Sequence, residues 1–142
     1  MNRFVLDTDV IVAAMRSPSG ASAALLGAAL DNKIVSLASV PLFFEYEAKC
    51  TMPIHWTAAG LTQKQAHVFV DGLAALIEPV KTHYLWRPML RDPNDEMVLE
   101  AAVNGRANAI VTFNLRDYGT VPGTFNIEVL TPAIAIRRVR NE

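Results

Sequence analysis

The chain holds one cysteine, Cys50. A lone thiol excludes an internal disulfide framework and fits a reducing cytoplasm. It also removes any Cys/His zinc site, because His55, His67 and His83 are scattered without ligand spacing and read as ordinary surface or core histidines. The few glycines never form Gly-x-Gly-x-x-Gly after an apolar run, so a Rossmann-type cofactor site is excluded. Every apolar stretch is interrupted well short of a membrane span, and Asn2-Arg3 does not lead into a signal peptide, so no membrane association is expected. Positive charge is not in excess either: 13 Lys and Arg stand against 14 Asp and Glu, and a net charge of −1 gives no global basic field. Locally, Arg87, Arg91, Arg106 and Arg116 lie in the half of the chain that carries two acidic segments, and Arg137, Arg138 and Arg140 crowd the C-terminus. These arginines read either as solvated faces or as the rim of an acidic cleft that holds a phosphodiester chain.

What is abundant is apolar. Hydrophobic residues make up 51% of 142 positions, and the mean hydropathy is +0.22. That composition predicts a well-filled core in one domain spanning residues 1–142, plus some apolar surface covered by a partner. Residues 3–6, Ile34–Ala38, Glu78–Lys81, Ala109–Thr112 and Ile127–Leu130 read as strands. A helical turn or loop runs through Met15, and helices are expected over Ala21–Leu30, after the cap Ser39 to a close at Met52-Pro53, from Leu61 to about Ile77, from Asp92 to Asn104-Gly105, and over Ala133–Arg140. Thr62 and Gln65 form a capping box, and Trp86 with Arg87-Pro88 reads as loop. Strands alternating with helices predict an α/β fold with three layers and a central, mainly parallel sheet of about five strands.

The chemistry sits at the strand ends. Phe4-Val5-Leu6 runs straight into Asp7-Thr8-Asp9. A carboxylate after so apolar a strand is costly to bury unpaired, so Asp7 belongs at the open end of the strand, where α/β sheets bind ligands. Capping of the next helix falls to Thr8 or Asp9. Glu45 follows the second strand, with an ordinary i,i+4 pairing to Lys49 as its alternative. In Asp92-Pro93-Asn94-Asp95, Asp92 reads as the cap, which leaves Asp95 for the site. Thr112, Asn114 and Asp117 follow the fourth strand, where Asn114 and Asp117 are also good turn residues. Each acid is explicable singly, but four acids at four sheet-edge junctions are more than capping requires.

Together, Leu-Asp-Thr-Asp-Val, Pro-Leu-Phe-Phe-Glu-Tyr-Glu, Arg-Asp-Pro-Asn-Asp-Glu and Ile-Val-Thr-Phe-Asn-Leu-Arg-Asp-Tyr resemble the PIN domain, and more narrowly the VapC-type ribonuclease toxins of toxin–antitoxin systems. The resemblance runs from Phe4 to the Thr131-Pro132 helix. It implies a metal-binding and catalytic quartet of Asp7, Glu45, Asp95 and Asp117, supported by Thr112 and Asn114, with Asp92 and Asp9 beside it. Two positions depart from the family pattern: Asp9 stands where Asn is commoner, and Asn114 where many members have Asp. The implied activity is endonucleolytic cleavage of RNA with Mg²⁺ or Mn²⁺, the ions that all-oxygen ligands favour. The implied partners are a cognate antitoxin, a second copy in a homodimer, and the RNA substrate.

Two other readings compete. Asp7-Thr8-Asp9-Val10 also fits the Asp-x-Asp-x-[Thr/Val] of haloacid-dehalogenase-like phosphatases, but that family needs a later Lys and then an acidic pair after a further strand, whereas here Asp92 and Asp95 precede the Ile110-Val111-Thr112 strand and no Lys follows Lys81. A catalytically degenerate PIN-like module that only binds a partner is the non-enzymatic alternative.

Overall fold

The computed structural model describes residues 2–83 and 89–142, so the expected loop at Trp86-Arg87-Pro88 lies outside the described residues. Five strands form one sheet: β1 (Asn2–Leu6), β2 (Ile34–Ser39), β3 (Glu78–Val80), β4 (Ala109–Val111) and β5 (Glu128–Leu130). Their order is β3-β2-β1-β4-β5, and every neighbouring pair is parallel. Consecutive residues Phe4, Val5 and Leu6 are all at most 1% exposed, which requires cover on both faces of the sheet. The helices α1 (Thr8–Arg16), α2 (Ala21–Leu30), α3 (Val40–Cys50), α4 (Pro53–Ala58), α5 (Gln63–Leu76), α6 (Pro93–Asn104) and α7 (Pro132–Arg140) supply it, giving the expected α/β architecture. Pro79 sits on the edge strand β3, where a missing donor does least harm.

Local chemistry explains most element ends. Ser39 caps α3 through Leu42 N–H, with Pro41 in the first turn. Thr62 and Gln65 close both halves of the capping box on α5. Asp92 caps α6 by accepting from Asn94 N–H at 2.8 Å, ahead of Pro93. The Glu96 carboxylate also accepts the backbone N–H groups of Met89 and Leu90, which ties the approach to α6 onto its first turn.

Two elements differ from expectation. The stretch after β1 is a full nine-residue helix rather than a turn, because Val10, Ile11, Val12, Ala14 and Met15 bury one face and tertiary packing overrides the weak helix propensity of β-branched residues. Pro53 closes α3 as expected but also opens the short α4, as a proline in a first turn can.

The sheet reverses direction at β1. The chain moves from β1 to β2 and β3 on one side, then crosses to β4 and β5 on the other. The carboxyl ends of β1 and β4 therefore flank the topological switch point, the crevice where open α/β sheets place their ligands.

Candidate active site

The pairing of Leu6 with Val111 brings the next residues of the two strands together. Asp7 N–H donates to the Val111 carbonyl at 2.8 Å, and Thr112 N–H to the Leu130 carbonyl at 2.9 Å. Asp7 is only 7% exposed. Its Oδ1 accepts Thr8 N–H at 2.7 Å, while Oδ2 accepts the hydroxyls of Thr112 at 2.8 Å and Tyr118 at 3.0 Å. Asp7 is thus itself the cap of α1, which corrects the expectation that Thr8 or Asp9 would take that task. Burial is the main force on its carboxyl and pushes it above the ordinary carboxylate range, with the Asp117 charge adding to the rise and the three hydrogen bonds opposing it. The end of β1 is pinned from the other side too, where the buried Tyr46 hydroxyl donates to the Leu6 carbonyl.

Asp9 leans across to the segment after β4. Its Oδ2 accepts Phe113 N–H at 3.2 Å and Asn114 Nδ2 at 3.1 Å, with Thr112 Oγ1 at 3.5 Å. Its Oδ1 is buried without a partner among the described residues. Burial first, and the Asp7 charge second, push the Asp9 carboxyl up to about 6. Asn114 N–H donates to Thr112 Oγ1 at 3.0 Å, so Thr112 links both acids to the loop. Asn114 therefore serves as the donor to Asp9: the two departures from the family pattern are matched to each other.

Asp95 is 8% exposed in the first turn of α6. Burial and then the charges of Asp7, Asp92 and Asp117 push its carboxyl up to about 6. Asp117 stands exposed in a 3-10 turn, Leu115–Asp117. The Asp117 charge thus helps raise Asp7, and the charges of Asp7 and Asp117 help raise Asp95, as like charges facing a common space do. Glu45 keeps its i,i+4 partner, with Lys49 Nζ 3.9 Å from Oε1, and still faces the same space.

That space is a cleft of about 640 Å³ lined by Asp7, Asp9, Glu45, Asp92, Asp95, Asn114 and Asp117. All four acids of the expected quartet line it. Among the described residues, however, no three acid, histidine or cysteine side chains stand together as a ready metal-ligand set. Asp7 is held back by its own hydrogen bonds, and Glu45 by Lys49. The donor chemistry nevertheless fits a hard divalent ion: the donors are carboxylate oxygens, they carry uncompensated charge, and Asp9 Oδ1 is an orphaned acceptor.

Sequence reasoning missed Tyr118. It is fully buried, its hydroxyl donates to Asp7, and burial first, then the charges of Asp7 and Asp95, push that hydroxyl far above its ordinary range. A tyrosine directly after Asp117, in the segment that follows β4, was the available signal. Sequence also gave no role to Arg16 and read His55 as an ordinary histidine; both line the cleft, as does Lys49. Of the expected arginine rim, Arg91 and Arg116 border the neighbouring depression, whereas Arg106 follows Gly105, whose carbonyl Arg3 holds at the opposite end of the sheet. Arg87 lies outside the described residues. Arg138 pairs with Glu128, and Arg140 lines a separate depression beside α2.

The sequence profile of the PIN domain matches residues 3–116. The chain belongs to the PIN domain family. The matched span of this PIN domain includes Asp7, Glu45, Asp95, Thr112 and Asn114 and stops one residue before Asp117. None of the curated protein sequences matches it. Its fold is similar to a chain in the crystal structure of VapBC2 from Rickettsia felis bound to a DNA fragment from their promoter, at 14% identity and a TM-score of 0.62, covering 91% of this PIN domain and 98% of that chain.

Proposed function

We propose that this PIN domain is a VapC-type endoribonuclease, the toxin of a toxin–antitoxin pair, which cleaves RNA phosphodiesters with Mg²⁺ or Mn²⁺. The observation that carries the reading is the convergence of Asp7, Asp95 and Asp117 on one cleft at the sheet's switch point, where neighbouring acid charge adds to the rise of the Asp7 and Asp95 carboxyls. Asp7 and Asp95 are the first holders of the ion, with Glu45 and Asp117 as further holders. When bound, the ion neutralises the carboxylates and makes the attacking water more acidic. The chain's own residues prepare that site. Thr112 and Tyr118 fix the orientation of Asp7 through its Oδ2, and Asn114 keeps Asp9 turned toward the loop. Protons compete with a cation for the Asp95 carboxyl, raised to about 6, and for the raised Asp7 carboxyl, so activity falls as the pH drops through about 6.

The antitoxin partner is carried over from the fold, and a homodimer from the resemblance. Exposed apolar residues support a protein partner: Val40 and Phe44 are each 59% exposed beside an apolar groove completed by Ala74, Ile77 and Pro79. A phosphatase reading is weaker, because Asp7 as nucleophile would have to attack with oxygens already accepting three hydrogen bonds.

The test is incubation of the purified protein with single-stranded RNA and Mn²⁺. Internal cleavage that stops on adding EDTA, and is lost in Asp7→Asn and Asp95→Asn, is the expected result. Undiminished cleavage by both variants overturns the assignment.

A further inference from the structure

Asp7, Asp9 and Glu45 line the main cleft alone, but three of the acids also face a second depression. The main cleft and a second hollow of about 570 Å³ share Asp92, Asp95 and Asp117 as lining residues, so the two depressions adjoin at these acids. Basic side chains line both depressions. Arg16, Lys49 and His55 line the first cleft from α1, α3 and α4, and Arg91 and Arg116 line the second. Arg16, Arg91 and Arg116 are exposed, and none has a carboxylate within ion-pairing distance among the described residues. His55 Nδ1 is buried and has no hydrogen-bond partner among them. Seven residues of helix put the Arg16 backbone about 10 Å along α1 from Asp9, clear of the acids themselves.

A polyanion crossing a negatively charged centre needs cations before and after it, and unpaired arginines suit phosphates. We infer that the two depressions form one through-groove for a single RNA strand, with Arg16 and His55 holding a phosphate on one side of the scissile bond and Arg91 and Arg116 holding a phosphate on the other. Lys49 joins the first pair when Glu45 turns toward the ion. The inference rests on the nuclease reading and deepens it: a strand gripped on both sides is cut internally.

The experiment measures kcat and KM for Mn²⁺-dependent cleavage of one single-stranded RNA over a range of KCl. Arg16→Ala and Arg116→Ala each raise KM about fivefold with kcat within about twofold. Each lowers the slope of log KM against log salt by about 0.7, the value for one lost single-strand phosphate contact. The double variant multiplies the two effects, Arg16→Lys restores most of the loss, and Arg140→Ala on α7 behaves as wild type. A wild-type protein that cuts RNA while both single variants keep its KM and salt slope overturns the groove alone. A wild-type protein that cuts no RNA overturns the nuclease reading and the groove with it.

Discussion

Replacing Asp95 by Asn isolates the electrostatic cost that the cleft imposes on the metal-free protein. The rise of the Asp95 carboxyl from 3.8 to about 6 corresponds to about 3 kcal/mol against the charged form. The cleft is open to solvent, which screens at least half of that, and a carboxylate in the first turn of α6 regains about 0.5 kcal/mol from the helix dipole. The net expectation is that Asp95→Asn stabilises the protein by about 1 kcal/mol at pH 8 in EDTA, a rise in Tm of about 2–4 °C. The sign of the pH dependence follows from the same shift. The folded carboxyl keeps a proton that the unfolded chain loses above about pH 4, so its contribution to stability is complete below pH 4 and is lost as the pH rises through about 6. Thermal melts of wild type and variant at pH 4 and pH 8 therefore show the gain only at pH 8. Excess Mn²⁺ reverses the order, because the wild type binds the ion more tightly. A variant that melts lower than wild type at pH 8 without metal, or gains equally at both pH values, refutes the reasoning.

Three further substitutions probe the supports. Tyr118→Phe removes a buried hydroxyl that donates to Asp7 and should cost about 1–2 kcal/mol, read as a fall in denaturant midpoint at unchanged slope; a neutral result would mean the hydroxyl does not hold Asp7. Asn114→Asp sets a carboxylate against Asp9 Oδ2 and lowers Tm above pH 6, while adding Asp9→Asn restores it; additive losses in the double variant would deny the coupling. Gly105→Ala places a methyl 2.8 Å from the Ala101 carbonyl and 2.9 Å from Val80 Cγ2, so it should cost about 1–3 kcal/mol by urea unfolding.

The sequence carried the fold best where local chemistry and burial agree. The capping box at Thr62 and Gln65, the caps at Ser39 and Asp92, and the apolar run of β1 all appear in the structure with their expected partners. α1 was hidden because its β-branched residues argue locally against helix and only their burial reverses that. The placing of Asp7, Asp95 and Asp117 was legible because each followed a strand or opened a helix, whereas Glu45 lies in the middle of α3. What was not legible depends on how helices cross. Apolar periodicity tells which face of α1 is buried, but not that its last turn carries Arg16 toward the same cleft as His55 of α4. The double use of Asp7, as helix cap and as site acid, was likewise invisible, since it needs the register of β1 with β4 to bring Thr112 beside it.

The central claim is that carboxylates distant in sequence share one divalent cation, and a crystal soaked in Mn²⁺ and measured for anomalous scattering tests it most directly. The account predicts a strong peak between the carboxyl groups of Asp7 and Asp95, absent in Asp95→Asn crystals. A soaked crystal with no peak in the cleft, or with manganese bound only elsewhere on the surface, would contradict it.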